Sequence, residues 1–95
     1  MHYSPYSEAS GMFVNELLKR EDKLVSEMSV NKSDVKNIYR IFRERLSLYE
    51  KAAAMPLIED DRLFLEHRKN QICSELREYR SKQNRKMLEV FARND

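Results

Sequence analysis

Glycine occurs once in this chain of 95 residues, at Gly11, and proline twice, at Pro5 and Pro56. The stretch from Met12 to Met55, and everything after Leu57, therefore lacks the two residues that most reliably stop a helix. A single glycine also excludes a glycine-rich, phosphate-cradling loop. Cysteine is equally scarce: Cys73 stands alone, so no intrachain disulfide can form, and the pattern suits a reducing compartment. With Ile72 and Leu76 beside it, Cys73 reads as a small packing residue rather than a nucleophile. No segment approaches the roughly 20 apolar residues of a membrane span, and the first ten residues have neither the basic start nor the apolar run of a secretory signal. These absences predict a soluble cytoplasmic protein, leaving open only leaderless export through a dedicated apparatus. Charge of one sign is missing as well: Lys and Arg number 18 against 16 acidic residues, too even for the chain-wide field of a dedicated nucleic-acid binder.

What is present is helical pattern, and an all-α fold follows from it. Residues 1–9, where Tyr3, Pro5 and Tyr6 stand among serines, read as a flexible tail, and residues 10–95 as a single helical domain. From about Ser10 to Ser29, Phe13, Leu17, Leu24 and Met28 recur on one side of a first helix. Ser29 to Ser33 form a turn rich in capping residues, with Asn31 and Asp34 resembling a start signal. A second helix is expected from about Ser33 to Met55. Its stripe is Val35, Ile38, Phe42, Leu46, Tyr49 and Ala53, and its small end, Ala52 to Ala54, suits close backbone approach. Pro56 ends it, because the residue before a proline is pushed out of the helical region.

A third helix is expected from Leu57 to about Ala92. Acidic residues open it, at Glu59, Asp60 and Asp61, and basic residues crowd its later part, the polarity a helix dipole favours. Ile58, Leu65, Ile72 and Tyr79 repeat every seven residues, but the complementary positions hold Arg62, Lys69 and Gln83. The seam is thus an imperfect coiled coil. Two architectures fit: a helical hairpin or a three-helix antiparallel bundle, with a long C-terminal helix whose weakest point for a bend is Ser81 to Asn84. At about 1.5 Å per residue the first two helices reach about 30 to 35 Å and the third about 54 Å, so the third overhangs. Its end carries Met87, Leu88, Val90 and Phe91, which need cover from a second copy, from another protein or from a bend.

Motifs of chemistry are weak. His2 and His67 have no ligand partner three or four residues away, and Glu59 to Asp61 lack the alternation and glycine of a calcium loop, so neither a metal nor any other cofactor is implied. In size and helicity the chain is similar to the small helical mutases exemplified by chorismate mutase, where bundle arginines bind a dicarboxylate. Arg40, Arg43, Arg45 and Arg62 are the residues that this likeness would use, and surface ion pairing accounts for the same arginines. The tripeptide Ile38, Tyr39, Arg40 resembles that of the mitochondrial LYR assembly factors, with isoleucine for the leading leucine and a place in the second helix. A core pair of Ile38 with Phe42 explains it without that family.

The reading these features favour is a non-enzymatic protein interaction module: an adaptor, assembly factor or specialised chaperone, in the manner of small secretion-system chaperones. Met87, Leu88, Val90 and Phe91 would meet a partner helix or a second copy in a homodimer or heterocomplex. The alternative is a small nucleic-acid-binding regulator using Arg77, Arg80, Lys82, Arg85 and Lys86.

Overall fold

The computed structural model describes residues 5–93, which fold into three helices: α1 (Pro5–Val30), α2 (Val35–Ala53) and α3 (Glu59–Arg93). No strand occurs among the described residues. The helices form a three-helix bundle in which α2 runs antiparallel to both neighbours. Ser10 of α1 bonds Asp61 of α3 and Glu21 bonds Arg68, so α1 and α3 ascend together. Against α2 the numbering descends, from Glu21 on Tyr49 to Glu27 on Arg40. The all-α expectation and the three-helix form of it hold.

The core lies where the three stripes converge. Val14 and Leu17 from α1, Ile38, Phe42, Tyr49 and Ala52 from α2, Leu57 before α3, and Leu65 and Ile72 on it form one cluster. Met28, Leu46 and Leu76 are half-buried at its margin, and Leu24 is half-buried on the outer side between α1 and α2. Arg43 and Glu44 face solvent, as their place outside the stripe requires.

Several boundaries differ from expectation for local reasons. Helix α1 begins at Pro5, so Pro5 to Ala9 of the expected tail are helical, while Met1 to Ser4 lie outside the described residues. Proline suits a first helical position, where its missing N–H would be unpaired anyway. Asn31 does not start α2. Its side-chain amide turns back to the Glu27 carbonyl at 2.9 Å and finishes α1, while Asp34 caps α2 by accepting the Asn37 N–H at 3.1 Å. Only Ala52 of the alanine run is buried. Ala54 and Met55 close the end of α2 with bonds to carbonyls three residues back, to Lys51 and Ala52, ahead of Pro56.

Helix α3 is continuous through Ser81 to Asn84, so the bend that would have tucked its end away does not occur. Serine and asparagine cost only tenths of a kcal/mol each in a helix interior, too little to break one without glycine or proline. The particle is accordingly long, 69 × 22 × 20 Å.

Candidate interaction surface

Helix α3 stays in contact with the bundle as far as Tyr79 and Arg80. The Tyr79 ring meets Tyr39 edge-on at 5.3 Å and Phe42 at 5.9 Å, and Arg80 lies 6.0 Å over the Tyr39 ring. Tyr39 stands one turn into α2, so this contact marks the end of the body. Beyond it Met87, Leu88, Val90 and Phe91 are 59, 67, 57 and 67% exposed. At 3.6 residues per turn Met87, Val90 and Phe91 fall within roughly 100° of one another, on the side that Leu65, Ile72 and Leu76 use to enter the core. Leu88 widens the arc to roughly 160°. The core-facing stripe of α3 thus continues past the point where there is a core to face. Other exposed apolar residues, such as Val30 at the end of α1 and the pair Leu63 and Phe64, form no comparable run.

The basic segment is arranged differently. Arg77, Arg80, Lys82, Arg85 and Lys86 are all exposed, and they spread over roughly two thirds of the helix circumference. Lys82 pairs with Glu78 at 3.5 Å and Arg77 donates to Ser74 at 3.4 Å. A phosphate backbone tracks one face, and these cations do not share one.

The remaining candidates resolve into structural roles. Cys73 is half-buried and free, and among the described residues no cluster of His, Cys, Asp or Glu could hold a metal ion. His2 lies outside the described residues, and His67 is exposed, with the Gln71 amide 3.4 Å from its ring. Asp61 accepts from the Ser10 hydroxyl at 2.6 Å, and the same hydroxyl accepts the Ile58 N–H, tying the start of α1 to the start of α3. The arginines of the mutase likeness do not gather. Arg40 pairs with Glu27 and Glu44, Arg43 faces solvent, and Arg62 donates to the terminal carbonyls of α2 at Ala53 and Met55. In the LYR-like tripeptide, Ile38 is core, Tyr39 meets Tyr79 edge-on and Arg40 makes ion pairs, so each residue has a structural role.

Only Arg45 enters the bundle, and it does so within a network that the stripe reading missed. Glu21 is 1% exposed and Arg45 4%. Arg45 donates to Glu21 and to Glu75, each at 3.1 Å; Arg68 donates to Glu21 at 3.1 Å, and the Tyr49 hydroxyl also donates to Glu21. Burial alone would raise the Glu21 pKa, but the bonds from Tyr49, Arg45 and Arg68 outweigh it and hold the carboxyl below its ordinary value. Burial and the Glu21 carboxylate push the Tyr49 phenol up to about 12. The network sits beside an open groove of about 510 Å³ between α1 and α3, the loosest seam of the bundle. A signal for it did exist. Glu21 fills the gap between Leu17 and Leu24, Arg45 that between Phe42 and Tyr49, and Arg68 that between Leu65 and Ile72. Opposite charges inside the apolar stripes of different helices point to a shared interior site.

No helix among the described residues is long and apolar enough to cross a membrane. Comparison of the chain with known protein families, curated proteins and solved structures returns no match.

Proposed function

We propose that this protein is a non-enzymatic interaction module, an adaptor, assembly factor or specialised chaperone, which binds a partner helix through the end of α3 in a reducing, cytoplasmic setting. The observation that carries this reading is the apolar run Met87, Leu88, Val90 and Phe91, held in water on an unbroken helix. Full burial of a leucine or phenylalanine gains about 1.5 to 3 kcal/mol, and here that gain is left for a partner to realise. Because the run continues the core-facing stripe, an incoming helix would extend the packing of the bundle by the same geometry.

Two substituted proteins test the reading against nucleic-acid binding. Leu88→Asp with Phe91→Asp puts carboxylates where an apolar partner must desolvate them, and binding should be lost while the circular dichroism of the bundle is kept. Arg80→Gln with Lys82→Gln and Arg85→Gln should leave binding nearly intact. Affinity capture with each protein, split into salt-resistant and salt-sensitive fractions, reads the result. Loss of binding in the charge variant alone, with nucleic acid released by moderate salt, replaces this reading with the basic-face alternative.

A further inference from the structure

The chain carries a second apolar surface that none of its own elements covers. Between α1 and α2 runs a groove to which α3 contributes no residue. Its floor is Phe13, Leu17 and Leu48, with Met12, 64% exposed, at its lip and a volume of about 370 Å³. A second depression of about the same volume continues it past Leu24 toward Glu27 and Glu44. From Met12 to Leu24 the groove follows roughly 18 Å of helix, and the free end of α3 from Lys82 to Ala92 offers roughly 15 Å. Ridge and groove therefore match in length and in apolar character.

They cannot meet within one copy. The Ser10 bonds to Asp61 and Ile58 place the mouth of the groove beside the α2–α3 connection, whereas the ridge passes the α1–α2 turn at the opposite end of the body. Two copies lying side by side in opposite directions solve both problems at once, since each ridge then reaches the other's groove and the contact closes by two-fold symmetry. From this we infer that the partner of the α3 end is a second copy of this chain, seated in the α1–α2 groove as a fourth helix of each bundle. The inference rests on the reading of the α3 end as an interaction surface.

Area favours the reciprocal form. One seating engages a few turns of helix, the scale of a weak contact, while two symmetrical seatings move the interface toward the roughly 1,600 Å² of a stable one. In this arrangement the ridge runs antiparallel to α1 and parallel to α2 of the other copy. With Phe91 over Phe13 and Leu48, Lys86 falls level with Glu44, and Arg85 comes within a turn of Glu16. Glu44 already pairs with Arg40 and Glu16 with Lys19, and Arg20, Lys23 and Lys51 share that rim, so the apolar contact and not charge carries the pairing.

Analytical ultracentrifugation of the full chain at micromolar concentrations tests the inference. A dimer is expected, and Met12→Asp or Phe91→Asp should each weaken it at least tenfold. An equal mixture of the two variants should regain part of the association, because one ridge and one groove remain intact. In a Cys73→Ser background, chains bearing Met12→Cys and chains bearing Phe91→Cys should form a disulfide-linked heteropair when mixed and oxidised. A dimer abolished by Phe91→Asp but indifferent to Met12→Asp overturns the groove assignment, the ridges then pairing with each other. A monomer whose α3 end still binds a client helix overturns self-pairing and leaves the proposed function standing. Indifference of both dimerisation and client binding to Phe91→Asp overturns both.

Discussion

As far as Arg80, α3 lies against α2 and, more loosely, α1; from Asn84 to Ala92 every residue is exposed. The first part buries charge: Glu21 and Arg45 are among the least exposed residues of the bundle. The second part exposes Met87, Leu88, Val90 and Phe91. Residue type predicts the reverse of both. What differs is whether a helix stands opposite and what it brings. Glu21 is sheltered because Tyr49, Arg45 and Arg68 converge on it from two other helices, while Phe91 is exposed because neither α1 nor α2 extends far enough to cover it.

The sharpest way to break this contrast is to remove one member of the buried network. Arg45→Ala leaves Glu21 short of a partner in the interior and should cost about 3 to 5 kcal/mol, a large share of the roughly 5 to 15 kcal/mol typical of a domain. Urea unfolding followed by circular dichroism measures it. Leu88→Asp with Phe91→Asp should change the stability of the monomer by no more than about 0.5 kcal/mol. Similar losses in the two proteins would erase the distinction between the regions.

Titration sharpens it next. The Glu21 pKa is lowered in the folded chain, so its stabilisation is complete above the ordinary glutamate value of 4.5 and is lost as pH falls through the lower folded value. The Tyr49 pKa is raised from 10.0 to about 12, so its stabilisation is complete below 10.0 and is lost as pH rises through about 12. Urea midpoints measured across pH should show an acid limb that flattens in Glu21→Gln and an alkaline limb that flattens in Tyr49→Phe. No substitution at the end of α3 should alter either limb.

Smaller effects probe the margins of the body. Ser10→Ala removes the link between the starts of α1 and α3 and should cost about 1 kcal/mol, read as a drop in melting temperature. Tyr79 lies near the end of the body, and its buried hydroxyl has no hydrogen-bond partner among the described residues. Tyr79→Phe should therefore be neutral or stabilising by up to about 1 kcal/mol. A clear loss would show that this hydroxyl is bonded and that the body extends further along α3.

Much of this was legible because helix periodicity is local. The stripes through Ile38, Phe42 and Tyr49, and through Leu65 and Ile72, mark faces that the structure buries. The α3 end was legible for the same reason, being an apolar run longer than its neighbours are long. The network was not, since Glu21, Arg45 and Arg68 each look like a surface charge until the other two are placed beside it. Asn31 was misread because a capping side chain serves either of two adjacent helices, and only the fold of the turn decides which.

The amino-acid sequence by itself determined three helices, their sequence of charges and the excess length of the third, because scarcity of glycine and proline and the 3.6-residue period act within a few turns of one helix. Tertiary structure alone decided that three polar side chains from two other helices close on Glu21, and that the α1–α2 groove stays open. Each of these depends on which surfaces meet across tens of residues of chain, where small local preferences are outweighed by packing and by the cost of leaving a buried charge unpaired.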